Sequence, residues 1–294
     1  MKINICFCID EGYVCQLGAV LLSLIESNQQ NNVDIYLILN GVAEESKARL
    51  AKTIKNMQKF SMFFFDSQDK SENKLEGIGH ISSATFIRFE IPELLANLDK
   101  VLYLDSDIIV ADDLTDLWNV ELKDNYVGAV ENPFFSRYEA LSLKPGFGYF
   151  NAGVLLMNLK RCREGDICNK AATFFSNNRA ACLNFDQCAL NAVIQGKWKK
   201  VVLRWNLQTN YLLRKKELPN LKKEISLAYS SPGIIHYSSS SKPWDFLDPH
   251  PKAYVFHKYE RQFGKLEEKH DFTNSLRSII KFLYRRAYYL HQLN

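Results

Sequence analysis

Asp105 and Asp107 interrupt an apolar run, KVLYLDSDIIV from Lys100 to Val110, and two carboxylates with one spacer residue serve no packing purpose there. A run of β-branched and aliphatic residues this long reads as a strand buried on both faces. An ionised carboxylate without a partner there costs several kcal/mol or shifts until it is neutral. A divalent cation is the simplest compensator, because an Asp-x-Asp pair can bind it from the strand end while its charge cancels theirs. The triplet alone is common, and Asp also starts turns and caps helices. Its place inside an apolar strand points to metal, since ligands of α/β sheets dock at the carboxyl ends of strands.

The elements that must hold this pair alternate along the first hundred residues. The pattern predicts a strand at Ile3–Ile9, a helix around Leu17–Glu26, a strand at Asp34–Leu39 and a helix at Glu44–Asn56. A strand at Ser61–Phe65 and a helix near Thr85–Leu95 follow, then the strand ending at Asp105. That βαβ progression implies a Rossmann-like, mostly parallel central sheet flanked by helices. Beyond it, Asn125–Val130, Val154–Asn158, Val201–Asn206 and Gly233–Tyr237 read as strands and Gln187–Gln195 as a helix, with Pro219–Glu224 a charged linker. The stretch Asn132–Tyr149, mixing Pro, Gly, Phe and charge, reads as a loop or lid. After the first strand the chain runs IDEGYV, which is neither glycine-rich phosphate loop, so metal must hold the diphosphate of any bound nucleotide.

A chain of 294 residues, 47% hydrophobic, can bury the core of one large catalytic unit, and no internal repeat is visible. The net charge of +4 is mild and the first two thirds lack a basic patch with interleaved aromatics, so nucleic acid is not an expected partner. Seven cysteines occur, none in a Cys-x-x-Cys pair, and Cys6 and Cys8 alternate with apolar neighbours as packed residues do. The longest early apolar stretch, Gly18 to Ile25, is too short for a bilayer and lacks a signal-peptide layout, so a reducing, cytoplasmic setting is expected. From Asn274 the tail NSLRSIIKFLYRRAYYLHQLN carries Arg277, Lys281, Arg285 and Arg286 without an acid, and Leu276, Ile279, Ile280 and Leu283 at helical spacing. It suits either an interfacial helix on an anionic bilayer or an ordinary docked helix.

Four segments match one family in order: KVLYLDSDIIV, YFNAGVLLMNLK at Tyr149–Lys160, NFDQCALN at Asn184–Asn191, and IIHYSSSSKPW at Ile234–Trp244. Together they resemble glycosyltransferase family 8, most of all the bacterial galactosyl- and glucosyltransferases that extend lipopolysaccharide or lipooligosaccharide cores. The resemblance implies a GT-A fold, a UDP-sugar donor, a saccharide or glycolipid acceptor, a divalent metal, usually Mn²⁺ with Mg²⁺ the alternative, and retention of anomeric configuration. Residues 1–250 would form the catalytic domain and 251–294 a basic, aromatic helical tail against the cytoplasmic face of an anionic inner membrane.

Residue by residue, the resemblance makes Asp105, Asp107 and His236 the metal ligands. It places Asp10 against uracil, lines the donor with Cys8, Gly12 and Ser106, and brings Arg88 to the donor sugar. Asn151, Ala152 and Gly153 match a turn bordering the donor pocket. Asp186 and Gln187 match the residues that recognise the hexose, with Gln187 on the face of the anomeric carbon opposite the leaving group. Lys242 would neutralise the departing diphosphate. Three positions depart from the pattern: Gly12 stands where relatives often have Asn, Ser239 where they often have Gly, and Cys188 where an acid is frequent. With an amide at 187 and a thiol at 188, no carboxylate nucleophile is evident. Front-face substitution is therefore the expected route, with the Gln187 carbonyl dipole set against the developing positive charge. Two other readings stand beside this one: a phosphohydrolase of the haloacid-dehalogenase type, echoed by LYLDSDII, and a sugar-nucleotide binder without turnover.

Overall fold

The computed structural model describes residues 1–67, 84–245 and 248–264, with Leu283, Tyr284, Arg286, Ala287 and His291. Apart from those five positions, the tail from Asn274 lies outside the described residues. Two compact units, interleaved in sequence, make up the chain. One comprises Met1–Gly12, Gln30–Asp105 and Thr115–Val202, the other Tyr13–Gln29, Ser106–Leu114 and Leu203–Asn294. The described strands, in chain order, are β1 (Lys2–Asp10), β2 (Asn32–Asn40), β3 (Phe60–Asp66), β4 (Lys100–Leu104), β5 (Ile108–Val110), β6 (Val127–Glu131), β7 (Phe150–Asn158), β8 (Trp198–Lys200), β9 (Leu207–Gln208) and β10 (Ile234–His236).

The first unit holds a seven-stranded sheet in the order β3-β2-β1-β4-β7-β6-β8. Four of its six pairings are parallel, and only β7 runs against its neighbours β4 and β6. The central residues of β1 and β2 are buried on both faces, which is why KINICFCID and NVDIYLILN are apolar in continuous runs. Parallel pairing of β1 with β4 brings Asp10 and Asp105 to the same edge of the sheet. Antiparallel β7 pairs Val154 with Leu104, so residues 151–153 enter the sheet at that same edge. The Asp105 amide donates to the Gly153 carbonyl at 2.8 Å, locking the two segments together.

The second unit is built on a small sheet, β5-β10-β9, in which β10 runs antiparallel to β5 and parallel to β9. Helices Val14–Ser27 and Ala253–Phe263 belong to this unit, and its core gathers Ala19, Ile109, Ile235, Tyr237, Phe256 and Tyr259. Gly18 permits the helices to approach, for a Cβ there would lie 2.3 Å from the Phe263 ring. The helix Ala253–Phe263, inside the stretch assigned to the tail by sequence, is thus a core element.

Several sequence expectations are corrected by packing. Val201–Asn206 is not a strand: Leu203–Asn206 forms a 3-10 turn that buries Trp205 against Gly233, and pairing with β10 begins only at Leu207. The supposed linker Pro219–Glu224 is a 3-10 turn leading into the helix Lys222–Ser230, which buries Ile225 and Ala228 one turn apart. The helix expected near Thr85–Leu95 is three short turns, the last starting at Ile91 with Pro92, whose missing N–H prevents a continuous helix. The stretch Asn132–Tyr149 holds only two 3-10 turns, as a loop would.

Candidate active site

In the first unit Arg88 is the organising cation. Its guanidinium donates to the Ala152 carbonyl at 2.8 Å and to Asp105 Oδ1 at 2.9 Å, pairs with Asp186 Oδ2 at 2.7 Å, and lies over the Tyr103 ring at 4.5 Å. The Tyr103 hydroxyl donates to the same Asp105 oxygen at 2.6 Å. Burial works against the charge on Arg88, but Asp186, Tyr103 and Asp105 outweigh it and hold its pKa above the usual value. Asp186, 4% exposed, goes the other way: burial pushes its carboxyl up to about 6, with Arg88 only partly offsetting it. One cation shared between two carboxylates leaves the drier one poorly compensated.

Asp186 and Gln187 lie in the first turn of the helix Phe185–Ile194, introduced by Phe185 at φ 48°, a left-handed conformation costly for a side chain without a local polar partner. Gln187 Oε1 accepts from the Ala152 amide at 3.0 Å and from Asn151 Nδ2 at 3.1 Å, while Nε2 donates to the Tyr149 hydroxyl at 3.1 Å. Asn151–Gly153, expected as a turn, instead opens β7, with Asn151 Oδ1 accepting from the Gly153 amide at 3.0 Å. The Gln187 carbonyl that the sequence sets against the anomeric carbon is therefore bonded to the start of β7 instead.

The second unit contains a group of charged residues of its own. Lys242 Nζ donates to Asp107 Oδ2 at 2.6 Å and to the Tyr237 carbonyl at 2.7 Å. Burial alone would raise the Asp107 carboxyl, but the Lys242 ammonium, and after it His236, hold it well below the usual carboxylate range. His236 sits on β10 opposite Ile108, which fixes it beside Asp107. Its Nδ1 donates to Asn206 Oδ1 at 2.9 Å, which turns Nε2 toward Asp107 Oδ1 at 3.2 Å. With no proton on Nε2 the two would be acceptors face to face, so the position calls for a positive charge, the ring proton or a metal ion in its place. A histidine oriented by a side-chain carbonyl beside a carboxylate is a metal-ligand arrangement, and the donor set fits a divalent cation. Asp105 precedes Asp107 by two peptide units.

The remaining expected residues are placed as follows. Cys8 is buried in the first unit's core, and Asp10 ends β1 with its Oδ1 3.2 Å from where a Cβ on Gly12 would lie. Ser106 is buried in the second unit. Ser239 does not have positive φ, so the serine costs no left-handed strain, and its hydroxyl donates to the Ser241 carbonyl at 2.6 Å within the SSSSKPW loop. Sequence reasoning missed Tyr103, Tyr149 and Asn206. The last carried a signal, an Asn inside the apolar segment VVLRWNLQ.

The sequence model of Glycosyl transferase family 8 matches residues 4–248. General stress protein A of Bacillus subtilis (strain 168) is 28% identical over 256 residues, 84% of this chain and 89% of that protein. The lipopolysaccharide 1,2-glucosyltransferase of Escherichia coli (strain K12) is 25% identical over 299 residues, covering 99% of this chain and 86% of that one. In three dimensions the chain is similar to the galactosyltransferase LgtC in complex with donor and acceptor sugar analogues, with TM-score 0.77 at 27% identity over 90% of this chain and 98% of that one. The likeness shows the GT-A fold, as the parallel sheet of the first unit leads one to expect.

Proposed function

The chain belongs to glycosyltransferase family 8, and from that premise we propose that it moves galactose or glucose from a UDP-sugar to a saccharide acceptor with retention of anomeric configuration. The acceptor would be a lipopolysaccharide or lipooligosaccharide core or another cell-surface glycan, a reading supported by the lipopolysaccharide glucosyltransferase among its relatives. The observation that carries the proposal is the Asp107–His236 pair with Lys242 beside it. A divalent cation held by Asp105, Asp107 and His236, manganese in preference to magnesium because one ligand is a nitrogen, would supply the charge that neutralises the diphosphate as UDP leaves.

The chain's own residues divide the remaining work. Asp10 would accept the uracil N3–H, and Lys242 would place its ammonium on the leaving phosphate. Arg88 and Asp186 would hold the hexose hydroxyls, where buried charged groups reject a sugar that leaves them unpaired. Cys188 is fully buried with its sulfur hydrogen-bonded, Asp186 is paired with Arg88, and position 187 is an amide, so no side-chain nucleophile is offered to the sugar. Front-face substitution follows, with the acceptor proton passing to a β-phosphate oxygen of the departing UDP. Peripheral attachment through the tail remains part of the proposal; among the described residues no helix is long and apolar enough to cross a membrane.

The test is UDP release by purified protein with a panel of UDP-sugars, a saccharide acceptor and Mn²⁺. Turnover with UDP-galactose or UDP-glucose that EDTA abolishes is the expected result. Full turnover in EDTA, or none with any UDP-hexose, would refute it.

A further inference from the structure

Gln187 commits its amide to its own protein in a way that fixes every bond direction around it. A backbone N–H can only donate, so the amide atom that meets Ala152 N at 3.0 Å must be the oxygen, and Nε2 then faces the Tyr149 hydroxyl at 3.1 Å as a donor. Asn184 Nδ2 donates to the same hydroxyl at 3.2 Å, filling its second acceptor position. The hydroxyl proton is left for Cys188 Sγ at 3.2 Å, a sulfur that also accepts from the Asn184 amide at 3.3 Å. Tyr149 is fully buried and stacked on Phe135, ring centroids 3.7 Å apart and planes 7° from parallel, so its hydroxyl is held in place.

On the far side of the amide, the carbonyl grips the first residues of β7, which serve the rest of the site. Ala152 offers its carbonyl to Arg88, and Gly153 offers its own to the Asp105 amide. An unbroken series of bonds thus runs from the Tyr149 hydroxyl through Gln187 to the start of β7, and from there to Arg88 and Asp105. Both lone pairs of Oε1 and one N–H of Nε2 are used, and the second N–H is what the amide has left to offer.

We propose that Tyr149 is a positioning residue for hexosyl transfer: it sets the Gln187 amide so that its carbonyl clamps the Asn151–Gly153 segment of β7 and its remaining N–H meets the donor sugar. This rests on the transferase reading above. An N–H has no attraction for positive charge at the anomeric carbon, but it fits a sugar hydroxyl oxygen. Gln187 therefore orients the hexose and holds the start of β7, and does not compensate charge.

The experiment compares Tyr149→Phe in two backgrounds. In the otherwise native enzyme, losing the hydroxyl while keeping the stacked ring should lower kcat about tenfold, the scale of one neutral hydrogen bond, with Mn²⁺ and UDP affinity by calorimetry unchanged. In Gln187→Met the same substitution should cost less than about twofold, because no amide is left to orient. Equal cost in both backgrounds would mark a purely structural role and overturn the proposal, as would native kcat in Tyr149→Phe. A second readout is independent of turnover: slow hydrogen exchange of the Gln187 side-chain amide by NMR should be lost in Tyr149→Phe, and persistence of that protection also overturns it. If the native enzyme releases UDP from no UDP-hexose, the transferase reading itself fails, separately from the role of Tyr149 in setting the amide.

Discussion

Asp186, buried in the first unit, and Asp107, partly buried in the second, are both carboxylates with a cationic partner, yet their pKa values move in opposite directions. Asp186 rises to about 6 and Asp107 falls well below the usual range, although burial acts to raise both. Stoichiometry of charge makes the difference. Arg88 is divided among Asp186, Asp105 and the Ala152 carbonyl, whereas Asp107 has Lys242 on one oxygen and His236 on the other. The second unit thus keeps a negative charge in place, and the first keeps a carboxyl near the edge of neutrality.

The comparison is broken most forcefully by Asp107→Ala. It leaves Lys242 and His236 without their shared anion and removes one ligand, so kcat/KM should fall about 10²–10³-fold and Mn²⁺ binding by calorimetry should disappear. Undiminished turnover would show that the depressed carboxyl of the second unit is only structural. Lys242→Ala comes next. Its charge matters most as diphosphate leaves, so kcat should drop about a hundredfold while the KM for donor changes far less. An equal change in both would assign Lys242 to ground-state binding.

Asp186→Asn sharpens the other side. A carboxyl that titrates near 6 when folded and 3.8 when unfolded binds its proton more tightly in the native state. Its contribution to stability is therefore full below pH 3.8 and is lost as pH rises through 6. The loss is on the order of 3 kcal/mol by linkage, an upper bound while Arg88 relaxes. Urea unfolding across that window should show the native protein losing stability relative to Asp186→Asn as pH rises. Parallel profiles would mean that Arg88 fully compensates Asp186 and that the contrast between the units is smaller than the geometry indicates.

What the sequence revealed of these two regions follows from how local each signal is. The Asp-x-Asp pair and the parallel sheet are written in contiguous patterns: an apolar run with charge in it, and βα alternation. The residues that orient them were not legible, because their roles depend on contacts far apart in sequence. Tyr149 meets Gln187 across 38 positions and Asn206 meets His236 across 30. The same cause misread Val201–Asn206, whose β-branched start suggested a strand until burial of Trp205 imposed a turn. It also misread the Gln187 carbonyl, since nothing in NFDQCALN says that a backbone amide 35 residues earlier will claim it.

Cys188 carries the smallest expected effect and tests the stereochemical route. A hydrogen bond from Cys182 pulls its thiol down to about 7, with burial opposing and Tyr149 adding to the pull, which by charge alone would favour attack by its sulfur. Access argues the reverse. The residue is fully buried, its sulfur accepts from the Tyr149 hydroxyl and the Asn184 amide, and attack on a sugar would require both bonds to break. Cys188→Ser keeps an acceptor in the same place, so kcat should stay within about threefold of native and the stability loss should be about 1 kcal/mol. The product anomer, read by NMR, should remain that of the donor. Intact-mass spectrometry of the native enzyme with UDP-hexose and no acceptor separates the two routes more sharply: a hexose adduct on Cys188 or Asp186 would defeat front-face substitution and put a covalent intermediate in the unit whose carboxylate is the poorly compensated one.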